Sequence, residues 1–305
     1  MEKSSYHNAV LLSQSVEGLN IKPDGIYVDV TFGAGGHSRA ILKQLNEKGK
    51  LFAFDQDEDS LANRIEDSRF VLINHNFKYI KNYLKLYGVT QVDGILGDLG
   101  VSSHQFDSEQ RGFSIRFDCD LDMRMDVRKN MKAADILNTY SEIDLRNLFY
   151  RYAEVNNANK LANIIVKERI ISPFGRSLDF RSRITECIPK GKENKYLAQV
   201  YQALRIEVNE ELEVLQTLLC QTPTLIKPGG RLVIISYHSL EDRLTKIFMR
   251  SGNFEDKIEK DFYGNILAPF VPINRKAIVP SEEELANNNR SRSAKLRIAE
   301  RRING

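Results

Sequence analysis

The sequence predicts an α/β protein in which a doubly wound parallel sheet is interrupted by an inserted all-helical domain. Strand-like apolar runs alternate with helical segments in the first and last thirds of the chain, as parallel β-α-β units require. Between them the strand-like runs vanish, and the remaining segments have a helical period. We therefore predict a sheet domain formed by 1–104 and 206–305, with a helical insertion at 105–205.

The stretch 27–37 is the centre of this prediction. Its first residues predict a buried strand, Gly33, Gly35 and Gly36 break that strand, and a helical pattern begins at Ser38. A strand, a glycine turn and a helix in succession bring backbone N–H groups close to a bound nucleotide-like ligand. A side chain at Gly35 or Gly36 would fill the space where that ligand approaches the backbone. The alternative is a tight turn without a ligand.

A carboxylate follows at the spacing expected for a ribose contact. Asp55 ends a second apolar strand, 51–55, about 20 residues after the glycines, which suits hydrogen bonds from a ribose diol. Helix capping is the alternative role, but Asp57 is better placed for it.

Two positions in the glycine turn separate two cofactor classes. A dinucleotide fingerprint requires a glycine three positions after Gly35, and Ser38 stands there instead. In contrast, Asp29 precedes Gly33 by four residues, which resembles the first motif of S-adenosylmethionine methyltransferases. The pattern therefore favours methyl transfer over hydride transfer.

Further strands and helices complete the predicted sheet domain. Phe77 follows the third strand and is either a contact for an adenine ring or a core residue. A single long helix is predicted at 205–219, and Ser239 fits the capping box of the next helix. The additional strands are predicted at 70–73, 92–98, 231–236 and, as a final edge strand, 294–299.

The composition is that of an ordinary soluble enzyme. Of 305 residues, 42% are hydrophobic and 28% charged, and the net charge is +3. No secretory leader is evident, and no apolar run approaches the roughly 18 residues of a membrane helix, so a cytoplasmic location is predicted. The three cysteines are far apart and lack C-x-x-C spacing, so we expect reduced thiols and no metal site.

Six sequence blocks, which together extend over essentially the whole chain, carry a family resemblance. They are T-F-G-A-G-G-H-S (31–38), G-D-L-G-V-S-S (97–103), L-D-M-R-M-D (121–126), Q-A-L-R-I-E-V-N-E-E-L (202–212), P-G-G-R-L-V-I-I-S-Y-H-S-L-E-D-R (228–243) and R-S-R-S-A-K-L-R (290–297). Together they resemble the bacterial small-subunit ribosomal RNA cytosine-N(4) methyltransferases (RsmH or MraW family).

The resemblance implies a Rossmann-like class I methyltransferase domain with an inserted helical substrate-binding domain, and S-adenosyl-L-methionine as cofactor. It further implies methylation of a cytidine in the decoding region of 16S rRNA in the small ribosomal subunit. The protein is expected to be either a monomer or a homodimer.

The predicted strands and the resemblance together assign site residues. Asp98, at the end of the strand beside the glycine turn, and His238, after the fifth strand, are the predicted catalytic residues, and His238 could donate to phosphate or to the base. An acceptor at Asp98 would localise the lone pair of the cytosine amine and take its proton. The alternatives are that Asp98 only binds the donor's amino-acid end or caps a turn, and that His238 makes a structural hydrogen bond. The expected donor contacts are Gly33, Gly35, Gly36, His37, Asp55, Phe77, Asp98 and Gln105.

Basic residues are concentrated in the insertion and the tail. Residues 160–195 contain nine Lys or Arg against four Asp or Glu, and the tail 287–305 contains six against one. We expect these clusters to bind RNA, with Arg181 and Arg183 as the residues to test; an ordinary solvated surface is the alternative. Arg124 and Arg128 could likewise bind phosphate or pair with neighbouring aspartates.

Some positions depart from the family's pattern. His104 stands where the family often has proline, and the family's Y-G-E-E-R-F-A reads Y-A-E-V-N-N-A at 152–158, without the arginine. The aromatic that stacks on the target base has three candidates, Phe106, Phe113 and Tyr237. Two other functions stay open, namely a nicotinamide-dependent oxidoreductase and a ribosome-assembly factor that retains a donor pocket without catalysis.

Overall fold

The computed structural model describes residues 9–303, which divide into two compact units. One contains the described residues up to Gly100 together with those from Glu213 onward, and the other contains Val101–Leu212. The predicted insertion, 105–205, lies inside the second unit. Within residues 9–303, no helix combines the length and the apolar character needed to cross a membrane.

The first unit is built on a seven-stranded sheet. Its strands are β1 (Ile26–Asp29), β2 (Lys50–Phe54), β3 (Phe70–Ile73), β4 (Val92–Asp98), β5 (Ile226–Ser236), β6 (Phe270–Pro272) and β7 (Lys295–Arg301). They lie in the order β3-β2-β1-β4-β5-β7-β6. Neighbours among β1–β5 pair in parallel, which confirms the predicted sheet, whereas β7 is antiparallel to both β5 and β6. The predicted edge position of the last strand is wrong, because β6 pairs along its outer side.

Helices surround the sheet and form most of the second unit. The α-helices of the described chain are α1 (Leu12–Leu19), α2 (Gly36–Leu42), α3 (Ile80–Leu86), α4 (Ser103–Asp107), α5 (Ala133–Thr139), α6 (Glu142–Leu148), α7 (Ala158–Ile171), α8 (Ser177–Arg183), α9 (Glu193–Asn209), α10 (Glu211–Leu225), α11 (Ser239–Ser251) and α12 (Glu282–Asn287).

Alternate residues of the strands face two separate hydrophobic cores. Val28 and Phe52 pack on one core with α3, α10 and α11, whereas Leu51 and Val233 pack on the other with α1 and α2. Because both faces of the sheet are covered, its central strands are apolar along nearly their whole length. The carboxyl ends of these strands are where polar side chains emerge.

The second unit has a hydrophobic core of its own, formed mainly by α5, α6, α7 and α9. Its described residues contain no strand beyond an isolated bridge between Asp120 and Arg176. The prediction of one long helix at 205–219 is wrong, because Glu210 adopts a left-handed φ of 55° and separates α9 from α10. A non-glycine residue in that region ends a helix.

Candidate active site

Three buried or half-buried carboxyl groups follow the central strands of the first unit. The strand order reverses between β1 and β4, and an open α/β sheet binds its ligand at such a point, outside the carboxyl ends of the strands. Asp29 ends β1, Asp55 follows β2 and Asp98 ends β4. The sheet therefore brings together three acids that are far apart in the sequence.

Asp29 fixes the turn between β1 and α2. Its carboxylate is fully buried and accepts hydrogen bonds from the Ser38 hydroxyl at 2.7 Å and the Thr31 backbone N–H at 3.1 Å. Burial raises the pKa of Asp29 to about 6, although both hydrogen bonds oppose that rise. Ser38, at the position of the absent third glycine, thus has a structural partner that the spacing of the motif did not reveal.

Asp55 holds the glycine turn against the end of β2. Its two carboxylate oxygens accept the backbone N–H groups of Gly33, at 2.7 Å, and Asp57, at 2.9 Å. Burial is the main cause that raises the pKa of Asp55 to about 6. Asp57 caps the following 3-10 helix, as expected, by accepting the Asp59 N–H. Each oxygen of Asp55 keeps a further lone pair, so the carboxylate can also accept hydrogen bonds from a ligand.

The three glycines of the turn differ in what surrounds them. Gly33 has a φ of 52°, and a Cβ added there would meet no atom of the described residues within 4 Å. At Gly35, with a φ of 77°, an added Cβ would lie 2.9 Å from the Phe32 ring, and at Gly36 it would lie 2.8 Å from the Ala9 Cβ. Side chains at Gly35 and Gly36 would therefore meet the protein itself, and the expectation that they would also fill the ligand's space stays a prediction. Gly33 is the one of the three that borders open space.

Asp98 is held by contacts on both its backbone and its side chain. Its N–H donates to Thr31 Oγ1 at 2.6 Å, and its Oδ1 accepts the Tyr237 hydroxyl at 2.8 Å. Its Oδ2 accepts no hydrogen bond from the described residues and lies 3.9 Å from His37 Nδ1. Burial raises the pKa of Asp98 to about 6, while the hydrogen bond from Tyr237 acts in the opposite direction. Because 22% of the side chain stays exposed, the second oxygen can accept a hydrogen bond from a ligand.

His37 faces Asp98 as a neutral ring. Its Nε2 lies 3.1 Å from the Val10 carbonyl, and that acceptor places the proton on Nε2. Burial lowers the pKa of His37, although the charge of Asp98 opposes this. The Nδ1 atom, which faces Asp98, therefore carries no proton.

Tyr237 contributes its hydroxyl as well as its ring. Burial, followed by the charge of Asp98, raises the pKa of Tyr237, so the phenol stays a hydrogen-bond donor. The sequence suggested Tyr237 only as a stacking aromatic. Its position directly after β5, beside β4, is the signal that could have paired it with Asp98.

His238 is the N-cap of α11, a position that the sequence assigned to Ser239. The His238 Nδ1 accepts the Glu241 N–H at 3.4 Å, and Glu241 Oε2 accepts the Tyr237 N–H at 3.0 Å. These contacts fix the chain immediately after Tyr237. They give His238 a structural role, and its catalytic role stays a prediction.

The remaining residues predicted to contact the donor or to stack on the target base differ in their burial and in their partners. Phe77 is half-buried against the core that contains β2 and α3. Gln105, in the second unit, closes a capping box with Ser102, through bonds of 3.0 and 3.1 Å. Phe113, a candidate for base stacking, is buried in the second unit's core, so that assignment is wrong, while Phe106 is half-buried.

Most arginines chosen from the basic clusters have partners inside their own unit. Arg181 donates to the Ile115 carbonyl, and Arg183 pairs with Glu168 at 3.0 Å and Asp179 at 2.9 Å. In the tail, Arg297 pairs with Asp242, and Arg301 and Arg302 donate to backbone carbonyls. Arg124 and Arg128 pair with Asp122 and Asp126 respectively. For Arg124 and Arg128, the alternative of pairing with neighbouring aspartates is observed. Arg181 and Arg183 bond within their unit and are not an ordinary solvated surface, and their role in RNA binding stays a prediction.

A doubly wound sheet with a glycine turn after β1, a carboxylate after β2 and another at the end of β4 defines an α/β protein built to bind a nucleotide-like ligand. Residues 4–302 match the MraW methylase family. The chain therefore belongs to that family of S-adenosylmethionine-dependent methyltransferases, which confirms the resemblance, the fold class and the cofactor expected from the sequence.

Individual relatives extend over nearly the same length. The chain is 58% identical over 294 residues to the Ribosomal RNA small subunit methyltransferase H of Christiangramia forsetii, covering 96% of this chain and 97% of that protein. It is 58% identical over 298 residues to the protein of the same name from Cytophaga hutchinsonii, covering 97% and 99%. A solved putative rRNA-methylase from Clostridium thermocellum is 12% identical with a TM-score of 0.46, covering 96% and 98%. The family assignment rests on the sequence matches.

Proposed function

We propose that this protein transfers a methyl group from S-adenosylmethionine to the exocyclic amine, N4, of a cytidine in the decoding region of small-subunit ribosomal RNA. Its membership of the MraW methylase family supports methyl transfer. The relatives named Ribosomal RNA small subunit methyltransferase H support the RNA of the small subunit as the substrate. The choice of a cytosine amine follows from the family resemblance of the sequence blocks and from the chemistry available at Asp98.

The residues after β1 and β2 suit the methyl donor. Open space at Gly33 leaves room for a ligand against the backbone, and Asp55 can accept hydrogen bonds from ribose hydroxyls while it holds the turn. His37 lies in the first turn of α2, after β1, and Phe77 begins the 3-10 helix after β3, which is compatible with their predicted donor contacts. When bound, the donor supplies an electrophilic methyl group on a sulfonium sulfur.

The available oxygen of Asp98 is the observation that carries the proposal. An exocyclic amine is a weak nucleophile because its lone pair is delocalised into the ring. An acceptor on its N–H localises that pair and can receive the proton. Asp98 Oδ2 accepts no hydrogen bond from the described residues, while Tyr237 and Thr31 fix the rest of the residue. Asp98 is thus a positioned acceptor whose remaining oxygen is free for the substrate.

His238 is the second predicted catalytic residue. Its Nδ1 accepts the helix N–H, so in the neutral ring the proton is on Nε2, and that atom lies 3.2 Å from Glu241 Oε1. We propose that His238 acts mainly by holding the chain that carries Tyr237, and only through it on Asp98.

Purified protein incubated with methyl-labelled S-adenosylmethionine and small ribosomal subunits lacking the modification tests the proposal. We expect label in the ribosomal RNA and N4-methylcytidine after nucleoside mass spectrometry. Label on another nucleoside would overturn the cytosine assignment. Donor binding without label in subunits or in free RNA would instead support the non-catalytic assembly factor. The match to a methylase family already argues against the nicotinamide-dependent oxidoreductase.

A further inference from the structure

The first unit carries a second aromatic and basic surface, outside the site described above. It comprises His75 and Tyr79 from the segment after β3, and Lys81, Asn82, Tyr83 and Lys85 from α3. We call this surface the α3 patch. Neither the family match nor the proposed methyl transfer assigns it a role.

The charged side chains of the α3 patch are all positive. The sequence contains no Asp or Glu between Asp67 and Asp93, whereas it contains three lysines from 78 to 85. Lys81 and Lys85 are exposed, four residues apart on α3, and have no ion-pair partner among the described residues. Residues at this spacing lie on the same side of a helix. Glu213 lines a neighbouring cavity together with Lys78. The patch therefore favours a polyanion.

The aromatic side chains of the α3 patch surround a cavity of about 370 Å³, lined also by Leu86. The His75 ring lies 5.0 Å from the Tyr79 ring, nearly perpendicular to it, and 5.3 Å from the Tyr83 ring. Tyr79 is 40% exposed. The Asn82 side chain borders the same cavity and makes no hydrogen bond with the described residues. A cavity with aromatic walls and one amide group suits a flat heterocycle with hydrogen-bonding edges.

We propose that the α3 patch binds single-stranded RNA, with one base in the aromatic cavity and the adjoining phosphates near Lys81 and Lys85. Aromatic rings flanked by lysines are how proteins hold unpaired nucleotides, because every base has a face that stacks and every phosphate a charge. The bases of a duplex are already stacked and would not enter the cavity. An acidic protein segment would satisfy the lysines but would leave the cavity unexplained. This inference rests on the proposed function, since it supplies a second contact to the RNA that the site would methylate.

The test compares full-length variants by fluorescence anisotropy with a labelled 12-nucleotide oligouridine and with a duplex of equal length. Lys81→Ala/Lys85→Ala should weaken oligouridine binding about tenfold at 0.1 M salt and reduce the slope of log K against log salt by about 1. Tyr79→Ala should weaken binding severalfold without a change in that slope, because stacking releases no counterions. The control, Lys43→Ala/Lys48→Ala, removes the same charge from two exposed lysines that follow α2 and should change neither the affinity nor the slope.

Three results would overturn the inference. These are unchanged oligouridine affinity in the α3 patch variants, an equal loss in the control, and equal binding of the duplex. A variant that keeps its affinity for protein-free ribosomal RNA but loses it for assembled subunits would assign the patch to a ribosomal protein instead. The methyl-transfer assay separates this inference from the proposed function. Normal methylation with unchanged RNA binding refutes the patch alone, whereas absent methylation with patch-dependent RNA binding refutes the proposed function alone.

Discussion

At the scale of single residues, one carboxylate combines burial, fixed orientation and an available oxygen. Asp98 is anchored through Oδ1 and its backbone, while Oδ2 is left without a hydrogen bond from the described residues. Its pKa of about 6 means that the carboxylate is mostly ionised at neutral pH and still able to take a proton. Asp29 has a pKa shifted as far but uses both oxygens within the protein. The number of hydrogen bonds that each carboxylate accepts within the protein, rather than its pKa, distinguishes Asp98 from Asp29.

Asp98→Asn should lower the single-turnover rate of methyl transfer about 100-fold or more at saturating donor. The variant keeps the size and one acceptor oxygen but loses the charge that stabilises a developing positive amine. Rapid-quench measurements with small subunits separate this step from donor affinity, which isothermal titration gives independently. An unchanged rate with collapsed donor affinity would make Asp98 a binding residue only.

Tyr237→Phe should move the acidic limb of the pH–rate profile upward by about one unit. The tyrosine hydroxyl stabilises the ionised form of Asp98, so its removal raises the pKa of that carboxyl. The wild-type rate should fall below about pH 6, where Asp98 becomes protonated. A lower rate with an unshifted profile would mean that Tyr237 acts on the substrate and not through Asp98.

Asp29→Asn should change how stability depends on pH. The folded-state pKa of Asp29 is about 6 against an ordinary value of 3.8, so the folded protein retains a proton that the unfolded chain has lost. This group therefore favours folding below pH 3.8 and loses that contribution as the pH rises to 6. Relative to wild type, the variant should gain up to about 3 kcal/mol in unfolding free energy between pH 4 and pH 7. Urea unfolding at both pH values measures this, and a constant difference would show that Asp29 titrates normally.

At the scale of elements, the turn between β1 and α2 unites three strands. Asp55, after β2, holds Gly33 in this turn, and Thr31 accepts the backbone N–H of Asp98 from β4. The short β1 strand lies between β2 and β4 and aligns them, so these bonds form without long side chains. The pairing of the strand backbones therefore largely sets the positions of the site residues.

Comparing Gly33→Ala with Gly35→Ala should distinguish a glycine that borders the donor from one that is needed for stability. Both substitutions put a side chain at a positive φ, which costs about 1 kcal/mol of stability. The Gly35 variant should lose at least 1 kcal/mol more, because its Cβ meets the Phe32 ring, whereas the Gly33 variant should lose donor affinity beyond its loss of stability. Thermal unfolding and titration calorimetry with S-adenosylmethionine measure the two quantities. Equal stability in both variants would contradict the packing assigned to Gly35.

At the scale of the whole molecule, the chain forms two units with separate cores, and the basic residues from 167 to 195 in the second unit fall into two groups. The arginines from 169 to 183 bond to carbonyls or acids of that unit, whereas Lys167, Lys190, Lys192 and Lys195 are exposed and have no ion-pair partner among the described residues. A planar guanidinium can satisfy several acceptors at once, so it suits a structural position better than an ammonium group. RNA contacts in this unit are therefore expected from the lysines.

Lys190→Ala/Lys192→Ala/Lys195→Ala should weaken RNA binding and reduce the slope of log K against log salt by about 2, with stability nearly unchanged.

In contrast, Arg183→Ala should cost about 2–4 kcal/mol of stability, because it leaves Glu168 and Asp179 without their partner and removes the contact with the Phe174 ring at 4.1 Å. Filter binding across a salt series and chemical unfolding test the two claims. A stable Arg183 variant with weaker RNA binding would restore the role first expected for this residue.

The sequence by itself determined the parallel sheet, the position of the glycine turn and the acids that follow β1, β2 and β4. These features follow from local patterns, since buried strands need apolar runs, and a turn at positive φ favours glycine. The tertiary structure alone decided what each polar group contacts. The hydrogen bond from Tyr237 to Asp98, the pairing of Arg183 with Glu168, and the strand β6 outside β7 all join residues whose proximity depends on the packing of separate elements. A local pattern specifies which groups emerge at the end of a strand, but only the assembled sheet fixes which of them meet.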